Sequence, residues 1–129
     1  MGKQWSRQVS VTGPGTNQSL TVTTPNGGNP PGRNDPANSI TIFQSDRTGG
    51  ATVRYTLTGT NGSLSIVNKD GSGTVPAGFS VSPPGQTVTI TDEETASDTA
   101  TFSYYVEFGT IKTPDPMITN SPDPIEEKK

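Results

Sequence analysis

Four carboxylates, Asp92, Glu93, Glu94 and Asp98, fall within seven residues of one another. Hard cations such as calcium take several carboxylate oxygens, so this cluster is the candidate metal site of the chain. The competing reading is a solvated turn between a strand ending at Thr91 and another starting near Thr99. We prefer the turn and expect no resident metal or cofactor. The stretch Asn68-Lys69-Asp70-Gly71 has the look of an EF-hand loop. That template would put Ile66 and Ala77 at its first and last ligand positions, and neither side chain carries an oxygen. Paired carboxylates can cleave glycosidic bonds, but no pair here is singled out by spacing. A serine–lysine dyad built on Lys3, Lys69 or Lys112 has no motif to bring it together. The chain has no cysteine and no histidine. This excludes cysteine nucleophiles, Ser-His-Asp triads, haem ligation and the usual zinc and iron–sulfur sites. No catalytic residue is assigned, and a non-enzymatic protein is expected.

Binding is the sharper idea. Aromatic rings stack on sugar faces, and Tyr105 is the one strand aromatic whose phase points to the wet side, so it is the candidate ligand-binding residue for a glycan. A net charge of -3, a pI near 4.7 and the lack of a basic cluster argue against nucleic acid. The bases among the first 33 residues, Lys3, Arg7 and Arg33, are spread out and read as solvated surface. No apolar run is long enough for a secretory leader or a membrane span, which favours a soluble, cytoplasmic protein.

Any such site must be positioned by strands. Only 26% of 129 residues are apolar, about 34 side chains, against 21 Thr, 13 Ser, 15 Gly and 12 Pro. This composition favours strands and turns over helices. Apolar residues alternate with polar ones in eight short runs: Val9/Val11, Leu20/Val22, Ile40/Ile42, Val53/Tyr55/Leu57, Leu64/Ile66, Phe79/Val81, Val88/Ile90 and Phe102/Tyr104/Val106/Phe108. Trp5 and Arg7 extend the first run backward in the same phase. Period-two alternation gives each strand one dry and one wet face, the signature of antiparallel sheets packed as a sandwich. No stretch supports a helix of useful length, although Asp92 to Ser97 could form a single turn.

Punctuation separates the runs. Thr12-Gly13-Pro14-Gly15, Lys69 to Gly73 and Ser82-Pro83-Pro84-Gly85 read as turns, and Asn61-Gly62 reads as a hairpin. The loop Pro25 to Asn38 is long enough to cross between sheets. From Thr113 the chain becomes proline-rich, and proline cannot donate to a ladder, so residues 113–129 are expected as an extended, partly docked arm with a frayed end rather than a central strand. The expected organisation is a sandwich domain over residues 1–112 followed by that arm. Self-association through edge strands or the arm is a further candidate role.

Two segments are similar to known patterns. Val88-Thr-Ile90 followed by Asp98-Thr99-Ala100-Thr101-Phe102-Ser103-Tyr104 resembles the E–F corner of immunoglobulin-like domains. Phe102 stands at the corner tyrosine and Tyr104 at the disulfide cysteine. Asp115-Pro116-Met117-Ile118-Thr119-Asn120-Ser121-Pro122 resembles the C-terminal motif of the bacterial DP-EP family, small proteins loosely related to inclusion-body proteins. Asp115, Pro116, Ile118, Asn120 and Pro122 match the motif, and Ser121 stands where its glutamate would be. The resemblance implies one immunoglobulin-like sandwich with no assigned catalytic role. Physically the motif reads as a clasp: Asp115 before Pro116 bends the chain, Ile118 plugs the sandwich edge and Asn120 bonds backbone groups. The expected fold is a single antiparallel immunoglobulin-like β-sandwich of about eight strands.

Overall fold

The computed structural model describes residues 3–13, 17–69, 74–113 and 116–123. Asp115, Pro14, Gly15 and Asp70 to Gly73 lie outside them, so the clasp's first residue and parts of two expected turns are not described. Ten strands are present among the described residues: β1 (Gln4–Thr12), β2 (Ser19–Thr23), β3 (Ser39–Phe43), β4 (Ala51–Thr58), β5 (Leu64–Asn68), β6 (Phe79–Val81), β7 (Thr87–Asp92), β8 (Thr101–Phe108), β9 (Ile111–Lys112) and β10 (Met117–Ser121). A single 3-10 turn, Gln44–Arg47, separates β3 from β4. No helix among the described residues is long and apolar enough to cross a membrane.

The strands form two sheets. The first has the order β2-β1-β4-β7-β6 and the second β3-β10-β8-β5, with β9 beside β8. The alternation decides what each sheet buries. Trp5, Val9, Val53, Tyr55, Val88 and Ile90 of the first sheet and Ile40, Ile42, Leu64, Phe102, Tyr104, Val106 and Ile118 of the second form one core. Their neighbours on the outer faces are mostly Thr, Ser and Gln, as in the pairs Thr52–Thr91, Arg54–Thr89 and Thr56–Thr87. Large apolar side chains leave water on forming such a core, each contributing about 1.5–3 kcal/mol.

All eight expected runs are strands, but the sheets are mixed rather than purely antiparallel. β1 runs parallel to β4, and β3 runs parallel to β10. Parallel neighbours need a long connection between them. Here each pair is separated by an excursion through the other sheet. The side-chain alternation fixes which face is dry, yet it is blind to a neighbour's direction.

Three local expectations are corrected. Asn61-Gly62 is not a hairpin, because β4 belongs to the first sheet and β5 to the second. The segment crosses between layers, and Gly62 is needed there for close approach, since a Cβ would run into Cε1 of the Phe108 ring. The proline-rich C-terminal stretch also contains a central strand. β10 sits between β3 and β8. Its residues Met117–Ser121 are free of proline, while Pro116 precedes and Pro122 follows. The ladder therefore loses no donor inside the strand. The acidic segment after β7 forms a turn closed by Ala96 N donating to Glu93 O at 3.0 Å, not a helix.

Candidate functional site

The polar chemistry of the chain gathers at one end of the sandwich. The loop joining β2 to β3, the 3-10 turn, the acidic turn after β7 and the end of β10 converge there. Arg7 anchors this end. It occupies an inward position of β1 between Trp5 and Val9 and is 1% exposed. Its guanidinium donates to Ser6 O (2.9 Å), Gly28 O (3.1 Å), Ala37 O (3.2 Å), Pro36 O (3.2 Å), Asp35 O (3.4 Å) and Asn29 Oδ1 (2.8 Å). The loop is thereby fastened to a buried cation. Burial lowers the Arg7 pKa, against the fields of Tyr55, Asp35 and Tyr104, which raise it. Gly28 lets the loop lie against β1: Ser6 N donates to its carbonyl at 2.7 Å, and a Cβ there would meet Ser6 O at 2.7 Å.

Beside it, Arg33 forms a second node. It donates to Asp46 Oδ2 at 2.6 Å and Thr41 O at 2.8 Å, and its guanidinium lies 4.6 Å from the centroid of Phe43 and 5.5 Å from that of Trp5. Trp5 Nε1 donates to Asp35 Oδ2 at 2.8 Å. Asp46 also accepts from Phe43 N at 2.9 Å, which caps the 3-10 turn.

A third node joins the sheets. Arg47 is 1% exposed and donates to Ile42 O at 3.1 Å and to Asp98 Oδ1. Asp92, at the end of β7, is fully buried, and Asn120 of β10 donates to its Oδ1 at 3.0 Å and to Ser97 O at 3.1 Å. Desolvation pushes the Asp92 carboxyl up to about 6, opposed by the Asn120 bond and the Arg47 charge.

The four acids of the candidate metal site are not brought together. Asp92 points inward to Asn120, Glu94 accepts from Gly49 N at 3.0 Å, Asp98 holds Arg47, and Glu93 is exposed. No group of three or more acidic side chains suited to a metal ion occurs among the described residues. Alternation explains this: β7 continues one residue past Thr91, so Asp92 takes an inward position.

The motif residues lie at and around β10. Pro116 is buried and its carbonyl accepts from Tyr104 N at 3.1 Å; Ile118 is in the core; Pro122 is exposed. Tyr105 is half-buried on the outer face of β8, with Lys112 Nζ 5.1 Å from its ring centroid. On the same sheet lies an open depression of about 560 Å³, lined by Asn68, Lys69, Pro76, Thr101 and Ser103, without Tyr105.

The arginines are what the sequence reading missed. Arg7 and Arg33 were expected at the surface; Arg7 is buried and Arg33 half-buried. For Arg7 a signal existed, since it shares the inward phase of Trp5 and Val9. For Arg33 and Arg47 there was none, because their partners come from distant segments. Compared with known proteins, the chain matches no family model and no curated protein.

Proposed function

We propose that this chain is a non-enzymatic binding or structural module, an immunoglobulin-like sandwich of the bacterial DP-EP kind. The observation that carries the reading is what the charged side chains at the polar end are engaged in. Asp46 holds Arg33, Asp98 holds Arg47, Asp35 holds Trp5, and Arg7 holds loop carbonyls. These side chains are committed to fastening loops onto the sandwich. The immunoglobulin-like kinship draws support from the chain's passage from β7 in one sheet to β8 in the other at the segment resembling the E–F corner. The DP-EP reading draws support from the motif's place at β10, where Ile118 enters the core and Asn120 bonds across to the acidic turn. The test is a panel of chromogenic glycosides, esters and phosphate esters. No turnover is expected; turnover abolished by Asp92→Asn or Asp98→Asn would overturn the reading.

A second reading, a glycan-binding domain, is favoured by the open depression on the face that also carries Tyr105. It predicts glycan-array signals that Tyr105→Ala weakens. A blank array with and without calcium removes it.

A further inference from the structure

We propose that the crevice between Asp92, Asn120 and Arg47 binds one buried water molecule, which completes the junction of the two sheets. Asn120 Nδ2 donates to Asp92 Oδ1 and to Ser97 O. Both partners are acceptors, so the amide orientation is fixed and its Oδ1 must face elsewhere. That Oδ1 has no protein partner, and neither have Asp92 Oδ2 and Arg47 Nε. The three side chains are 3%, 0% and 1% exposed in the same order. Buried polar atoms are very rarely left unbonded.

The three residues belong to one network. Arg47 bonds the side chain of Asp98, and Asn120 bonds the carbonyl of the adjacent Ser97. Arg47 and Asn120 thus converge on consecutive residues, and Asn120 carries the link on to Asp92. Two acceptors and one donor are the complement of water, which would give its two protons to Asp92 Oδ2 and Asn120 Oδ1 and accept from the Arg47 Nε proton. A metal cation is disfavoured by the guanidinium, and an anion by the two oxygens. The Asp98 side chain, 36% exposed, and the exposed Ser97 form the solvent edge of this network. Such a water would tie β7, β10 and the 3-10 turn at one point.

The experiment is magnetisation transfer from water in the intact, isotope-labelled protein, paired with a crystal structure at atomic resolution. The Arg47 Nε proton and the Asn120 amide protons are expected to show cross-peaks to water of the sign given by a molecule held longer than the protein tumbles. The density should show one ordered oxygen within hydrogen-bond distance of all three atoms. Arg47→Lys keeps the charge opposite Asp98 but removes Nε; a folded Arg47→Lys protein should lose the long-lived signal. A dry crevice, in which a protonated Asp92 bonds Asn120 Oδ1 directly, overturns the proposal. So does a metal ion or an anion at the position, or a long-lived water signal unchanged in Arg47→Lys.

Discussion

The hydroxyls of Tyr55 and Tyr104 meet at 2.5 Å in the middle of the sandwich, one from β4 of the first sheet and one from β8 of the second. Both residues are fully buried, and their rings cross edge to face with centroids 6.1 Å apart. Burial pushes the Tyr55 phenol up to about 12 and raises Tyr104 well above the ordinary range. Each hydroxyl therefore stays neutral and leans on the other. Removing one leaves its partner unbonded, whereas removing both leaves only apolar edges. Tyr55→Phe and Tyr104→Phe should each cost on the order of 1–3 kcal/mol. The double variant should cost less than their sum. Denaturant unfolding as a double-mutant cycle measures the coupling, and strict additivity would refute the paired role.

Asp92 sets a pH dependence of unusual sign. Its folded carboxyl titrates near 6, above the ordinary 3.8. The folded state thus holds this proton more tightly than the unfolded chain does. The group favours folding most below pH 4, and that contribution falls away as pH rises from about 4 to 6. The loss should be on the order of 3 kcal/mol. Asp92→Asn should flatten stability against pH across this window. Urea midpoints from pH 4 to 7 test it; wild-type stability that rises across the window, with the variant parallel to it, would contradict the assignment.

Arg7 holds the β2–β3 loop. Arg7→Met keeps much of the side chain's length but leaves the Ala37 carbonyl without its donor and takes one of two donors from the carbonyls of Gly28 and Pro36. A cost on the order of 3–5 kcal/mol is expected. The loop should also become open to trypsin at Arg33 under conditions where the parent protein resists. Resistance equal to the parent's would mean that the loop is held by other contacts.

β10 carries sheet hydrogen bonds on both sides and puts Ile118 into the core. A chain ending at Lys112 should lose cooperative unfolding, because β3 and β8 would lose their common neighbour. Ile118→Ala should cost about 2–5 kcal/mol, as for other buried aliphatic truncations. Circular dichroism melts check both, and a truncated chain as stable as the parent would show that β10 is dispensable.

The eight alternating runs could be read from sequence because strand alternation is local: each residue's face follows from its neighbours two away. β9 escaped because it is two residues long, and β10 because the surrounding prolines masked a proline-free core of five residues. The acidic cluster is a candidate site on sequence only because its members are adjacent along the chain. Adjacent strand and turn positions point apart, and the structure sends them to different partners.

The amino-acid order alone determined that this chain builds thin sheets with one dry face each, and which runs become strands. Only the folded arrangement decided that two strand pairs run parallel, that Arg47 lies inside, and that Asp92 meets Asn120. The reason is physical. Facing is set by bonds along the chain, whereas strand partners and buried ion partners are set by which distant segments can satisfy one another's polar groups once water has left.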